Sequence, residues 1–153
     1  FQADFEDGGL DQLMLLPVAL EGAVMAKLCA HFVGILLPVL ATMPLAGLLL
    51  NIRPDTVMPI LATLLAGAPA LVMLGAIGAA LAVGVRRAGL LTVLIVTPLY
   101  VPIIVFGAGA VARSLDAPGT LDVAALGVLG LISAASFFLA PPAIAAALRA
   151  GLR

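Results

Sequence analysis

Charge is scarce in this chain: only 10% of its 153 residues are Asp, Glu, Lys or Arg, where a soluble domain carries about 25%. There is no tryptophan and a single tyrosine, so no aromatic platform exists on which bases could stack. A formal net charge of -1 leaves no basic stripe for a phosphate backbone, and nucleic acid is not an expected partner. The one cysteine, Cys29, cannot close a disulfide within the chain and lacks the Cys and His neighbours of a metal site, so it reads as a packing residue. No GxxxxGK[ST] phosphate loop, HExxH or GxSxG motif occurs, and no two carboxylates are placed to face one another across a site. Ser133 and Ser136 have no base near them in sequence and read as helix-packing hydroxyls. No catalytic residue, metal site or bound cofactor is expected.

What is present is grease. Hydrophobic residues make up 64% of the chain and the mean hydropathy is +1.30, which together define an integral membrane protein. A helix needs about 20 apolar residues to cross a hydrocarbon core of about 30 Å. Four uncharged runs satisfy this, at about 28–50, 57–85, 90–112 and 123–148, the first carrying only His31 as an ionisable group. No run alternates with period two, so strands are excluded and the fold class is an all-α, polytopic transmembrane bundle. Residues 1–23 stand apart as an acidic segment, and 24–153 form the transmembrane domain. The connections NIRPD (51–55), RRAG (86–89) and RSLDAPGTLD (113–122) are short, which makes consecutive helices antiparallel neighbours. Asp55 or Thr56 is positioned to cap the second helix and Asp122 the fourth.

Lys and Arg resist translocation, whereas acids count for little. With the N-terminal segment in the cytoplasm, Lys27, Arg86, Arg87, Arg149 and Arg153 fall inside and only Arg53 and Arg113 outside, so both ends are expected to be cytoplasmic.

Each span holds two prolines: Pro38 and Pro44, Pro59 and Pro69, Pro98 and Pro102, Pro141 and Pro142. Such helices bend, and a membrane bundle tolerates this when neighbours satisfy the freed carbonyls. Gly75 with Ala79 and Gly78 with Ala82 form small-xxx-small pairs suited to close helix packing. Carboxylates are absent from all four runs, which argues against a carrier driven by protons or sodium. His31, about a turn beyond Lys27, reads as a residue hydrogen-bonded to a neighbouring helix, the alternative being a haem or metal ligand.

One stretch does not fit a plain span. In DGGLDQLMLLP (7–17), Asp7 is placed to cap, Leu10, Leu13, Met14 and Leu16 make an apolar stripe, and Pro17 ends it. So short a helix is unstable alone in water and must lie on a surface. Anionic lipid would repel its Asp4, Glu6, Asp7 and Asp11, since no basic residue precedes Lys27; a cytoplasmic protein with a basic rim around an apolar groove fits better.

That block, FQADFEDGGLDQLMLLPVALEGAVMAKLCAHF (1–32), resembles the CcmB family, permease components of the ABC-type haem exporter of bacterial cytochrome c maturation. The resemblance extends through GVRRAGLLTVLIVTPLYVPIIVFGAGA (84–110) and all four spans. Departures are Gly9 where the family often has Ser, Asp11 where it often has Glu, and Phe32 where Trp frequently follows the histidine. The chain opens on Phe1 with an acidic stretch, and the resemblance implies an N-terminally incomplete portion of a six-span, ABC-2-type permease. It further implies that Asp4, Glu6, Asp7, Gly8, Leu10, Asp11, Leu13, Met14 and Pro17 form a coupling helix docking on a separate ATPase, CcmA-like. A haem-handling membrane subunit, CcmC-like, and indirectly a haem chaperone, CcmE-like, are the other implied partners, in the bacterial inner membrane. Rival expectations are an ABC-type permease for lipid or drug, an ion-coupled carrier, and a structural scaffold.

Overall fold

The computed structural model of the protein describes residues 7, 20–83 and 88–151. Four α-helices follow one another: α1 (Leu20–Leu49), α2 (Pro54–Leu81), α3 (Ala88–Asp116) and α4 (Val123–Gly151). Each is 28 to 30 residues long, which at about 1.5 Å per residue exceeds a core of about 30 Å. All four are long and apolar enough to cross a membrane, and among the described residues there is no strand. The helix α1 begins two turns ahead of Leu28, where the uncharged run starts.

The helix ends show why the chain turns where it does. Asn51 takes a left-handed backbone (φ 52°), while Ile52 N–H donates to Gly47 O (2.8 Å) and Asn51 N–H to Leu48 O (3.2 Å). This double closure satisfies the last carbonyls of α1, and Asn is the residue after Gly that best tolerates the conformation. Pro54 then opens α2 at its first position, where the missing N–H costs nothing. Neither Asp55 nor Thr56 caps α2, contrary to expectation. Arg53 occupies the cap position without a side-chain bond, Asp55 sits in the first turn with its carboxylate 3.7 Å from Arg53, and Thr56 is buried. Asp122 does cap α4: its Oδ1 accepts from Ala125 N–H at 3.0 Å, and its other oxygen pairs with Arg113 at the end of α3.

The helices α2, α3 and α4 form the packed body, with α2 against α4 the most extensive contact. Gly67 of α2 lies beside Ile103 of α3 and Leu129 of α4, and the buried Ala70, Ile103 and Leu129 form the centre of this layer. The helix α1 joins it mainly at one end. Leu20, Val24 and Leu28, spaced four apart on one stripe, pack with Met73, Ala80 and Val83 of the α2 region and Ile144 and Leu148 of α4. Beyond that stripe, leucines such as Leu37, Leu45 and Leu48 are exposed. Arg149 donates to Glu21 at 2.9 Å, so the start of α1 and the end of α4 share one face of the bundle. At the opposite face Gly119 (φ 81°) comes against Asp55, bringing the two remaining loops together.

Besides Pro54, eight prolines lie inside unbroken helices. Beside Pro69, whose ring removes the donor to Leu65 O from the ladder, the neighbouring helix engages the adjoining rung. Ser133 of α4 donates its hydroxyl to Ala66 O and accepts from Ala70 N–H at 3.3 Å. One side chain thus serves both members of the rung adjoining the proline, as a membrane bundle requires. Ser133→Ala is expected to destabilise the bundle by about 1 kcal/mol, read as an earlier loss of helicity in a denaturing-detergent titration, with no change for Gly130→Ala, whose added methyl meets open space.

Candidate functional site

Of the residues expected to dock on a partner, Asp4, Glu6, Gly8, Leu10, Asp11, Leu13, Met14 and Pro17 lie outside the described residues, as do Arg86 and Arg87. Asp7 is described, exposed and in a turn. In sequence that segment precedes Leu20, where α1 begins and where α1 is anchored.

Because α1 is tethered at its Leu20–Leu28 end and touches α2 again at Gly47 beside Val57, the middle of the α1–α2 seam opens into a cleft of about 460 Å³. Lys27, His31 and Ile35 of α1 line one wall, α2 offers Leu71 and Gly75 on the other, and Tyr100 of α3 forms the floor. Those α1 positions are four apart, so one helical stripe carries the cation, the imidazole and then aliphatic side chains. Tyr100 donates its hydroxyl to Leu71 O at 2.8 Å, which satisfies the polar tip of an otherwise apolar floor. A second groove of about 250 Å³ adjoins it along α2 and α3, bordered by the same Leu64, Ala68 and Leu71 and by Ile103, Ile104 and Val111. It is apolar along its length.

Two expectations change here. His31 makes no hydrogen bond with any described residue; it is exposed and faces the cleft, because α1 stands away from α2 at this level. Cys29 is exposed rather than packed, since it lies about 100° round the helix from Leu28 and misses the single buried stripe. The small-residue reading is correct for Gly75 and Gly78: a Cβ on Gly75 would lie 2.5 Å from the Tyr100 hydroxyl, and one on Gly78 would collide with Val96. Gly75 also forms part of the cleft, a role its spacing alone does not reveal. Among the described residues no three His, Cys, Asp or Glu cluster as metal ligands.

Among the described residues charge gathers toward the helix ends, with Arg113 joined to Asp122, Arg149 to Glu21 and Lys27 lying two turns into α1, while the remaining helix interiors are apolar. Helices of this length and apolarity, packed through small residues such as Gly67, Gly75 and Gly78, define a polytopic α-helical membrane protein with a laterally open cleft.

The particular family follows from comparison with known proteins. Residues 1–151 match the family model described as CcmB protein. The chain is 50% identical over 153 residues to heme exporter protein B of Paracoccus denitrificans, covering 100% of this chain and 69% of that protein. It is 43% identical to heme exporter protein B of Rhodobacter capsulatus, again over 100% of this chain and 69% of the relative. For the protein of the same name from Bradyrhizobium diazoefficiens the identity is 41%, over 99% and 68%. This chain belongs to the CcmB family.

Proposed function

We propose that the chain is the permease subunit of an ATP-driven haem exporter serving cytochrome c biogenesis, without catalytic chemistry of its own. The observation that carries this reading is identity of 50% along the whole chain to a protein named heme exporter protein B. In this reading the acidic, leucine-striped stretch from Asp4 to Pro17 docks on a separate ATPase, CcmA-like, at the cytoplasmic face of the inner membrane. A CcmC-like membrane subunit handles the haem, and ATP hydrolysis drives release of a haem-loaded, CcmE-like chaperone.

The anchored end of α1 gives the proposal a mechanical route. Closure of two nucleotide-binding subunits would displace the docking stretch, and the displacement enters α1 at Leu20. There Leu20, Val24 and Leu28 are packed on α2 and α4, and Glu21 grips Arg149. Motion therefore passes to α2 and α4 at their own ends rather than along the loosely packed remainder of α1. Every carboxylate among the described residues lies near a helix end or in a turn, so none of these sits at mid-helix where a driving ion would be bound.

The test is Leu13→Asp in the intact complex. An aspartate in the apolar stripe should cut co-purification of the ATPase subunit severely, and whatever ATP hydrolysis persists should no longer yield released chaperone. Assembly and chaperone release at the unaltered rate would remove the basis of the docking. Purification of the unaltered complex without any haem-handling subunit would instead favour another cargo.

A further inference from the structure

The cleft and its neighbouring groove form one trough along α2, from Ala79 near the anchored end of α1 to Thr63, roughly 24 Å long at about 1.5 Å per residue. It separates α1 from α3. Each of those helices packs on α2 and neither packs appreciably on the other, and both bury less of their spans than α2 and α4 do. Ala68, Val72, Ala76 and Ala79 fall three or four apart and form one stripe of α2 along the floor, while Gly107 and Ala108 of α3 border the far side. A Cβ added at Gly107 would meet nothing within 4 Å. Small side chains let a second backbone come close, and close approach is the main source of attraction between helices in lipid. The two hydroxyls in the lining are committed, Tyr100 to Leu71 O at 2.8 Å and Thr63 to Pro59 O at 2.9 Å, so from Ile35 onward the walls ask for nothing polar.

The relatives are longer than the part matched here. Since 153 residues make up 69% of the Paracoccus protein, about 70 of its residues lie outside the match, several times the roughly 20 that one span requires. The Rhodobacter and Bradyrhizobium proteins are matched over 69% and 68% of their lengths. We propose that the trough seats one apolar transmembrane helix of the same polypeptide, supplied by the part of the full-length protein that corresponds to this unmatched length. A helix is about 10 Å across with its side chains, too wide to sink between α1 and α3. It lies over the trough instead, and the open 460 and 250 Å³ receive the side chains of one of its faces, ridge into groove. Seated so, it touches α1, α2 and α3 together and covers the inner sides of the two least buried spans. Its covalent connection keeps it near the trough at an effective concentration that a separate subunit lacks.

The experiment uses the full-length gene product in its intact complex, with photoreactive benzoylphenylalanine placed in turn at Ile35 on one rim, at Ile104 on the other, and at the exposed Leu131 of α4, outside the trough, as a control. Illumination, digestion and mass spectrometry are expected to recover one and the same apolar peptide from both rims. That peptide belongs to this polypeptide, lies outside residues 1–153, and is captured roughly tenfold less from Leu131. Ala68→Leu, which fills the middle of the floor, should lower the capture at both rims several-fold. Capture of phospholipid alone, of another subunit, or of a peptide from within residues 1–153 of a second copy would overturn the proposal. So would different peptides at the two rims, equal capture from Leu131, or capture unchanged by Ala68→Leu. None of these results bears on whether the docking segment engages an ATPase, which Leu13→Asp reads separately.

Discussion

Gly78→Leu is expected to disrupt the bundle, with loss of most folded protein from the membrane fraction and of the thermal transition in what remains. The reason is steric. The first carbon of any side chain at this position collides with Val96, and behind it stand Thr92 Cγ2 at 3.5 Å and the Thr92 carbonyl at 3.6 Å. Val96 is β-branched and buried, so it has little rotameric freedom with which to retreat. The Thr92 hydroxyl also reaches Gly78 O at 3.4 Å, a bond that exists only while α2 and α3 stay close. Overpacking a tight core by a few methylenes costs about 1–3 kcal/mol, and here a whole leucine must be accommodated between two helices whose attraction in lipid is mostly dispersion. Gly34→Leu is the matched control. Nothing lies within 4 Å of a Cβ there, and the variant should behave as the parent does; equal damage from both would show that the Gly78 contact is not what holds α3.

The second large effect concerns sidedness. In a Cys29→Ser background, Ala117→Cys should react in intact cells with an impermeant maleimide, whereas Ala150→Cys should react only after the membrane is opened. Both positions are exposed and lie at opposite ends of the bundle. The reasoning is electrostatic: among the described residues the cations at the Ala117 end, Arg53 and Arg113, each pair with an aspartate, the opposite end holds Lys27 and Arg149, and the sequence expectation assigns the remaining arginines to the cytoplasmic side. The reverse labelling pattern would put the acidic stretch outside the cell and end its assignment to an ATPase.

The four helices were legible because lack of charge over a membrane's thickness is a property of single segments, and the Asp122 cap was legible because it acts within four residues. The cap expected at Asp55 failed for a reason also present in the sequence: Pro54 already starts the helix without needing an acceptor. Features that depend on how far apart helices stand were not legible. His31 lacks its expected hydrogen bond to any described residue because it faces the cleft that opens in the middle of the α1–α2 seam, a separation no periodicity records. Ser114 follows Arg113 at the start of the connecting stretch and so reads as accessible, but it is buried, bonded to Ala110 O at 3.0 Å and Thr120 O at 3.3 Å. Ser133 was legible as a packing hydroxyl, though not as the partner of the rung beside Pro69, because its acceptor lies 67 residues away in sequence.

The bond between Glu21 and Arg149 has a consequence for how the bundle responds to force. It closes the first and last described helices into a ring at one rim, while the other rim is held by separate loops. A pull applied ahead of Leu20 is therefore shared with α4 from the first turn, through this exposed pair and the apolar packing of Leu20, Val24 and Leu28 beneath it, and the open middle of the α1–α2 seam is where the walls part.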